Sequence, residues 1–135
     1  MPKTFEVRHV SVSVERPPRE VYRFASNVET WPRWAHGLGN VTRSGDDWIA
    51  KGPLGEVKVH FSPPNDFGVL DHDVTLPSGA TVHNALRIIP NGEGSEVIFS
   101  VLRLSGTSES DFRADTDAVG KDLQQLKRLV EGREP

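Results

Sequence analysis

The stretch Val12-Ser13-Val14-Glu15-Arg16-Pro17-Pro18-Arg19-Glu20-Val21-Tyr22-Arg23-Phe24 changes its hydrophobic period in mid-course, and that change decides the fold. On its upstream side Val10, Val12 and Val14 alternate with His9, Ser11 and Ser13. A period of two with β-branched residues predicts a half-buried strand from Phe5 to Glu15. Pro17-Pro18 ends it, because proline brings no N–H to a ladder and its fixed φ suits the first turn of a helix. Downstream, Val21, Phe24, Ala25 and Val28 recur at three- and four-residue spacing, which predicts a short amphipathic helix. Asn27 to Trp34 reads as a second, shorter turn of helix interrupted by Pro32.

From Asn40 the pattern returns to strands, predicted over 40–44, 47–52, 55–62, 68–76, 80–90 and 95–104. Turn-forming clusters separate them: Ser44-Gly45-Asp46, Gly52-Pro53-Leu54-Gly55, Pro63-Pro64-Asn65-Asp66, Pro77-Ser78-Gly79 and Asn91-Gly92-Glu93-Gly94. These residues supply positive φ, preset φ or side-chain bonds to the turn backbone. Links this short imply an antiparallel meander. Ser108-Glu109-Ser110-Asp111 then has the hydroxyl-then-acid spacing of a capping box. Phe112, Val119, Leu123, Leu126 and Val130 follow at helical spacing, with Lys127 and Arg128 near the negative end of the helix dipole. Gly132 is the expected stop.

With 135 residues and no internal repeat or linker, the chain is expected to form a single domain, 1–135. It has no cysteine, which excludes disulfides, a cysteine nucleophile and a thiolate zinc site. Met1-Pro2-Lys3-Thr4-Phe5-Glu6 has no apolar stretch after its charge, so a secretory signal is not expected. No apolar run approaches the ~20 residues that cross a bilayer, so no membrane insertion is expected and the location expected is cytoplasmic. The 16 basic and 19 acidic residues are interleaved and leave a net charge of −3. That distribution lacks the concentrated basic surface of a nucleic-acid binder.

A strand, a helix pair, six strands and a closing helix is the order of the helix-grip fold, an α+β architecture in which a curved antiparallel sheet wraps a long C-terminal helix. The sequence resembles the superfamily that groups START lipid-transfer domains, birch-pollen-allergen-like proteins and polyketide cyclases/dehydrases. Three stretches carry the likeness: Val12 to Phe24 continuing through Asn27-Val28-Glu29-Thr30-Trp31-Pro32-Arg33-Trp34; the strands from Val82 to Leu104; and Glu109-Ser110-Asp111-Phe112 through Asp122-Leu123-Gln124-Gln125-Leu126-Lys127. The resemblance implies a cavity between the concave face of the sheet and the last helix that holds a small hydrophobic molecule. It implies no cofactor. Because that fold serves carriers, sensors and enzymes alike, the function has to come from the site.

Strand alternation sorts the candidates. With the more apolar set turned inward, the lining is Trp48 and Ala50; Val57, Val59 and Phe61; Leu70, His72 and Val74; Val82, Asn84, Leu86 and Ile88; Val97, Phe99 and Val101. Two polar side chains, His72 and Asn84, then stand in an apolar wall, the composition of a ligand pocket. They either pair with each other or with water, or meet a ligand. Trp34, Trp48, Phe61, His72, Asn84, Leu86 and Phe99 are the candidate ligand-binding residues. The resemblance places Trp34, beside Ala35-His36-Gly37-Leu38-Gly39, at the cavity entrance, whereas Trp31 is expected to pack. The opposite strand parity would turn Asp71, Asp73, His83 and Arg87 inward as a titratable lining suited to proton transfer.

Asp71-His72-Asp73 alternates across the strand, so the three side chains are not expected to converge. None of the five histidines (His9, His36, His60, His72, His83) has a helical ligand spacing, and no metal is expected. Gly37-Leu38-Gly39 lacks the third glycine of a dinucleotide loop, and no serine sits in a Gly-x-Ser-x-Gly elbow. The leading expectation is a carrier of a small hydrophobic ligand, of lipid, isoprenoid or aromatic type. The alternative is a polyketide cyclase/dehydratase-like enzyme using cavity acid–base residues, with no catalytic residue assigned. A third reading, a protein-interaction module, would need a large exposed apolar patch. The sequence leaves open a monomer or a homodimer formed through a sheet edge.

Overall fold

The computed structural model describes residues 3–36, 38–52 and 55–132; Met1-Pro2, Gly37 and the Pro53-Leu54 part of one expected turn lie outside the described residues. The elements run β1 (Glu6–Val14), α1 (Pro18–Ala25), a 3-10 turn (Val28–Arg33), β2 (Val41–Ser44), β3 (Asp47–Gly52), β4 (Gly55–Phe61), β5 (His72–Thr75), β6 (Thr81–Asn91), β7 (Gly94–Arg103) and α2 (Glu109–Val130). The strands form one antiparallel sheet in the order β1-β7-β6-β5-β4-β3-β2, so the first strand closes against the last. The boundaries match the expected strands within two residues, with one exception at 68–76.

That exception has a physical cause. Val69 bridges Arg87 and His72 pairs with Asn84 in one register, so the chain does not slip between them. Within the gap the Leu70 N–H donates to the Leu86 carbonyl at 2.8 Å, as a ladder requires. The return bond is missing. The Leu86 N–H donates instead to the Asp71 Oδ1 carboxylate at 3.0 Å, and the Leu70 carbonyl accepts from His72 Nδ1 at 2.9 Å. Two neighbouring side chains thus satisfy the backbone groups that a strand would have paired with each other.

The expected second helix is a 3-10 turn. Asn27 caps it by accepting from the Glu29 N–H, and Pro32 inside it has no N–H to offer an α-helical bond. The Trp31 indole N–H donates to the Ala25 carbonyl at 2.8 Å, tying this turn to the end of α1.

α2 starts where the capping pattern placed it, with Ser108 Oγ accepting from the Asp111 N–H at 3.1 Å. It lies against β1, β7 and α1. Its buried stripe is Phe112, Leu123, Leu126 and Leu129, while Val119 and Val130 are only partly covered. At its C-terminal end Glu131 is buried; its Oε2 accepts from the Glu15 N–H at 2.7 Å and from Lys127 Nζ at 2.8 Å. The Arg16 guanidinium donates to the Glu131 carbonyl at 2.8 Å, and Ser95 Oγ donates to the Arg16 carbonyl at 2.7 Å. Among the described residues no helix is long and apolar enough to cross a membrane.

Two glycines separate strain from slack. Gly68 has φ +74°, and a Cβ there would stand 2.0 Å from the Ile88 carbonyl oxygen, whereas a Cβ on Gly120, inside α2, would meet only Val10 Cγ1 at 3.7 Å. Gly68→Ala is therefore expected to lower stability by about 2–3 kcal/mol, since left-handed strain and a backbone clash add. Gly120→Ala is expected to raise it by about 0.5–1 kcal/mol through helix propensity. Urea unfolding of the two variants against the wild type checks both signs.

Candidate functional site

Cross-strand partners share a face of a sheet, so the register reads out the lining directly. One row runs Arg43, Trp48, Val59, Val74 and Val82 across β2 to β6. A second runs Phe61, His72 and Asn84, and a third joins Leu86, Phe99 and Val10. All three lie on the concave face, toward the helices. Leu86 and His72 are buried, and Trp48, Phe61, Val74, Val82, Asn84 and Phe99 are half-buried. Leu38, Val41, Trp48 and Phe61 touch both hydrophobic clusters of the protein, the large one under the helices and a smaller one on Ala50, Val57 and Val59.

Aromatic rings fill the middle of this face. Trp31 stands 5.0 Å from the His72 ring and 5.2 Å from Phe61, edge-on to both. Trp34 packs 5.0 Å from Trp31, and Phe99 lies 6.3 Å beyond His72. Trp34 is only 7% exposed, so its ring belongs to the core and does not stand open at an entrance. The loop that follows it is pinned to α2: Asp122 accepts from the His36 N–H at 3.0 Å, and its other oxygen lies 2.9 Å from His36 Nδ1.

His72, 3% exposed, is the polar centre. Burial pushes its pKa below the usual imidazole value, against the opposing pull of its bond to the Leu70 carbonyl. That bond uses Nδ1–H, so the neutral ring carries its lone pair on Nε2, which faces Asn84 Nδ2 at 3.5 Å.

The titratable residues of the opposite parity gather on the other face. Asp71, 8% exposed, receives Arg87 Nε at 2.8 Å and Nη2 at 2.6 Å. The Arg87 guanidinium bonded to it, helped by the Leu86 N–H, holds its carboxyl below the usual carboxylate range despite burial. Asp73 lies between His60 and His83 in the register, with its Oδ1 2.6 Å from His83 Nδ1. His60 Nδ1 lies 2.6 Å from Asp47 Oδ1. Among the described residues no group of three or more histidine, aspartate or glutamate side chains could hold a metal ion.

Sequence alternation put Trp48, Phe61, His72, Asn84, Leu86 and Phe99 on one face of the sheet, as the register does, but missed Asp71 as a backbone acceptor, the Asp122 clasp and the Glu131 tether. The only local signal was the four-residue spacing of Lys127 and Glu131. Surface depressions open among the described residues. The largest, about 860 Å³, sits between α1 and the loop carrying Phe67, which is 83% exposed. One of about 370 Å³ borders Ser13 to Glu15 and Asn91 to Ser95. One of about 230 Å³, at the end of β4 and β5, is lined both by Phe61 and His72 and by His60, Asp71, Asp73 and His83.

The depressed pKa of His72 fixes the sign of a pH effect. Protons bind the unfolded chain first, so stability present above about pH 6.5 is lost as pH falls toward the folded-state value. Urea midpoints measured between neutral pH and about pH 5 should fall less in His72→Phe than in the wild type. Equal slopes would show that the ring is not held neutral. Asp71→Ala, which strands the Leu86 N–H and unpairs Arg87, is expected to cost about 2–3 kcal/mol in the same assay.

No family model matches the sequence, and no curated protein does either. Solved structures do. XoxI from Bacillus cereus superposes with a TM-score of 0.73 at 12% identity, covering 92% of this chain and 94% of that one. The structure of Ara h 8.0201 gives 0.69 at 10% identity, covering 94% and 98%. DynU16, a protein of the dynemicin biosynthetic locus, gives 0.71 at 15% identity, covering 99% of this chain and 49% of that one. Likenesses at such identities speak for the fold alone. With its seven-stranded antiparallel sheet and long closing helix, and with these superpositions, the chain has the α+β helix-grip fold.

Proposed function

We propose that this protein binds a small hydrophobic molecule against the concave face of its sheet. The observation that carries the reading is the half-exposed apolar row of Trp48, Val74 and Val82, continuous with Phe61 and Phe99. An apolar wall with a few polar groups is the usual make-up of a ligand site. Moving apolar surface out of water against it contributes roughly 25 cal/mol per Å². The charged network of Asp71, Asp73, His83 and Arg87 lies on the opposite face, and the charges on this face are confined to its ends, at Arg43 and on β1 and β7. Lipid, isoprenoid and aromatic molecules all fit such a wall.

The cyclase-like alternative draws support from the biosynthetic locus of DynU16. It loses support from the outward position of the titratable residues it would use. Of that chemistry only His72 faces the lining, and its Nε2 is directed at Asn84.

Native mass spectrometry of gently purified protein, with denaturing extraction of any released molecule, tests the reading. A stoichiometric apolar adduct is the expected result. Trp48→Ala should then weaken binding by about tenfold, by removing part of the wall. A bare mass, together with no thermal stabilisation across a lipid and aromatic panel, would sink the proposal, because a ligand bound to the native state alone must raise its stability.

A further inference from the structure

We propose that Asn84 selects the head group of the bound molecule, and that it takes an uncharged hydrogen-bond donor, a hydroxyl or phenol, in preference to a carboxylate. This rests on the concave-face reading above and adds to it the polarity of the ligand.

A relay of fixed hydrogen-bonding roles carries the inference. The Leu70 carbonyl is free to accept because Asp71 has taken its ladder partner, the Leu86 N–H. It accepts from His72 Nδ1 at 2.9 Å, which leaves Nε2 an acceptor. An acceptor at Nε2 calls for a donor opposite, so the Asn84 carboxamide turns its nitrogen toward the ring, 3.5 Å away. Its Oδ1 is thereby assigned to the other side. Among the described residues no hydrogen bond engages that oxygen, and Asn84 is half-buried, paired across the sheet with His72, whose ring packs against Phe61 and Phe99. The wall therefore presents one carbonyl-type acceptor and one spare N–H at a single point.

A hydroxyl satisfies both, donating to Oδ1 and accepting from the spare N–H. A carboxylate has no proton for Oδ1, and its desolvation among apolar side chains is costly. The cations on the same face are engaged elsewhere: Arg43 lies at the outer end of the Trp48 row, 5.8 Å over that ring, with its Nε donated to the Gly45 carbonyl; Arg8 lies 5.4 Å over the Phe112 ring; and Arg103 donates to the Thr107 carbonyl and to Glu6. His72 acts here as a positioning residue, since it touches the amide and not the head group.

Calorimetric titration of the full chain at neutral pH with naphthalene, 2-naphthol and 2-naphthoate tests this. In the wild type 2-naphthol should bind about tenfold more tightly than 2-naphthoate and about fivefold more tightly than naphthalene, the range of one net hydrogen bond. Asn84→Leu should bring 2-naphthol to the same affinity that this variant shows for naphthalene, with an unchanged urea midpoint reporting an intact fold. His72→Phe should collapse the same ratio, a result that a purely structural role for the ring would not give. A 2-naphthoate affinity equal to or above that of 2-naphthol, or an Asn84→Leu variant that keeps the naphthol preference, overturns the head-group assignment while the apolar wall stands. Absence of binding by both naphthalene and 2-naphthol overturns the concave-face reading and this inference with it.

Discussion

The exchange of partners at Leu70, Asp71 and His72 is the constraint from which the rest of the sheet's chemistry follows. A single missing backbone bond, Leu86 N–H to Leu70 carbonyl, is replaced by two side-chain bonds that point in opposite directions. Asp71 is drawn into the ladder from one face and presents its carboxylate to Arg87. His72 is drawn in from the other and buries its ring among Trp31, Phe61 and Phe99. Because every buried backbone group must find a partner, neither side chain can leave without stranding one. The register on both sides is kept, so the exchange adds chemistry without disturbing the alternation of the neighbouring strands.

That alternation segregates the molecule. Toward the helices the sheet is apolar, apart from the His72–Asn84 pair in its middle and the arginines at its ends. Away from them it carries aspartate, histidine and arginine in paired contacts. Such a division explains why one reading of the strands yields a binding wall and the other a set of acid–base groups. The two sets exist in the same protein on opposite faces, separated by one layer of backbone.

Most of the fold was legible in the sequence because it rests on short-range signals. Val10, Val12 and Val14 alternate, the proline pair breaks the ladder, and Ser108 stands three residues before Asp111. The apolar parity of Val82, Leu86 and Ile88 was legible for the same reason. What escaped depends on partners distant along the chain. The shortening of β5 follows from Leu86, fifteen positions from Asp71. The clasp that holds the loop after Trp34 joins His36 to Asp122, 86 positions away. Alternation could sort His72 and Asn84 to one face, but it carries no information about which imidazole nitrogen bears the proton.

The Glu131 tether has a temporal meaning as well as a geometric one. It joins residues 116 positions apart, and β1 finds its strand partner only in β7. During synthesis the first strand must therefore wait, unpaired, for the last strand of the sheet and then for the closing helix. Contacts of such sequence separation slow folding and lengthen the time during which apolar strands stand uncovered. The nascent chain thus carries its concave wall open until α2 has been made, and the carboxylate that joins α2 to the end of β1 arrives only after every strand of the sheet.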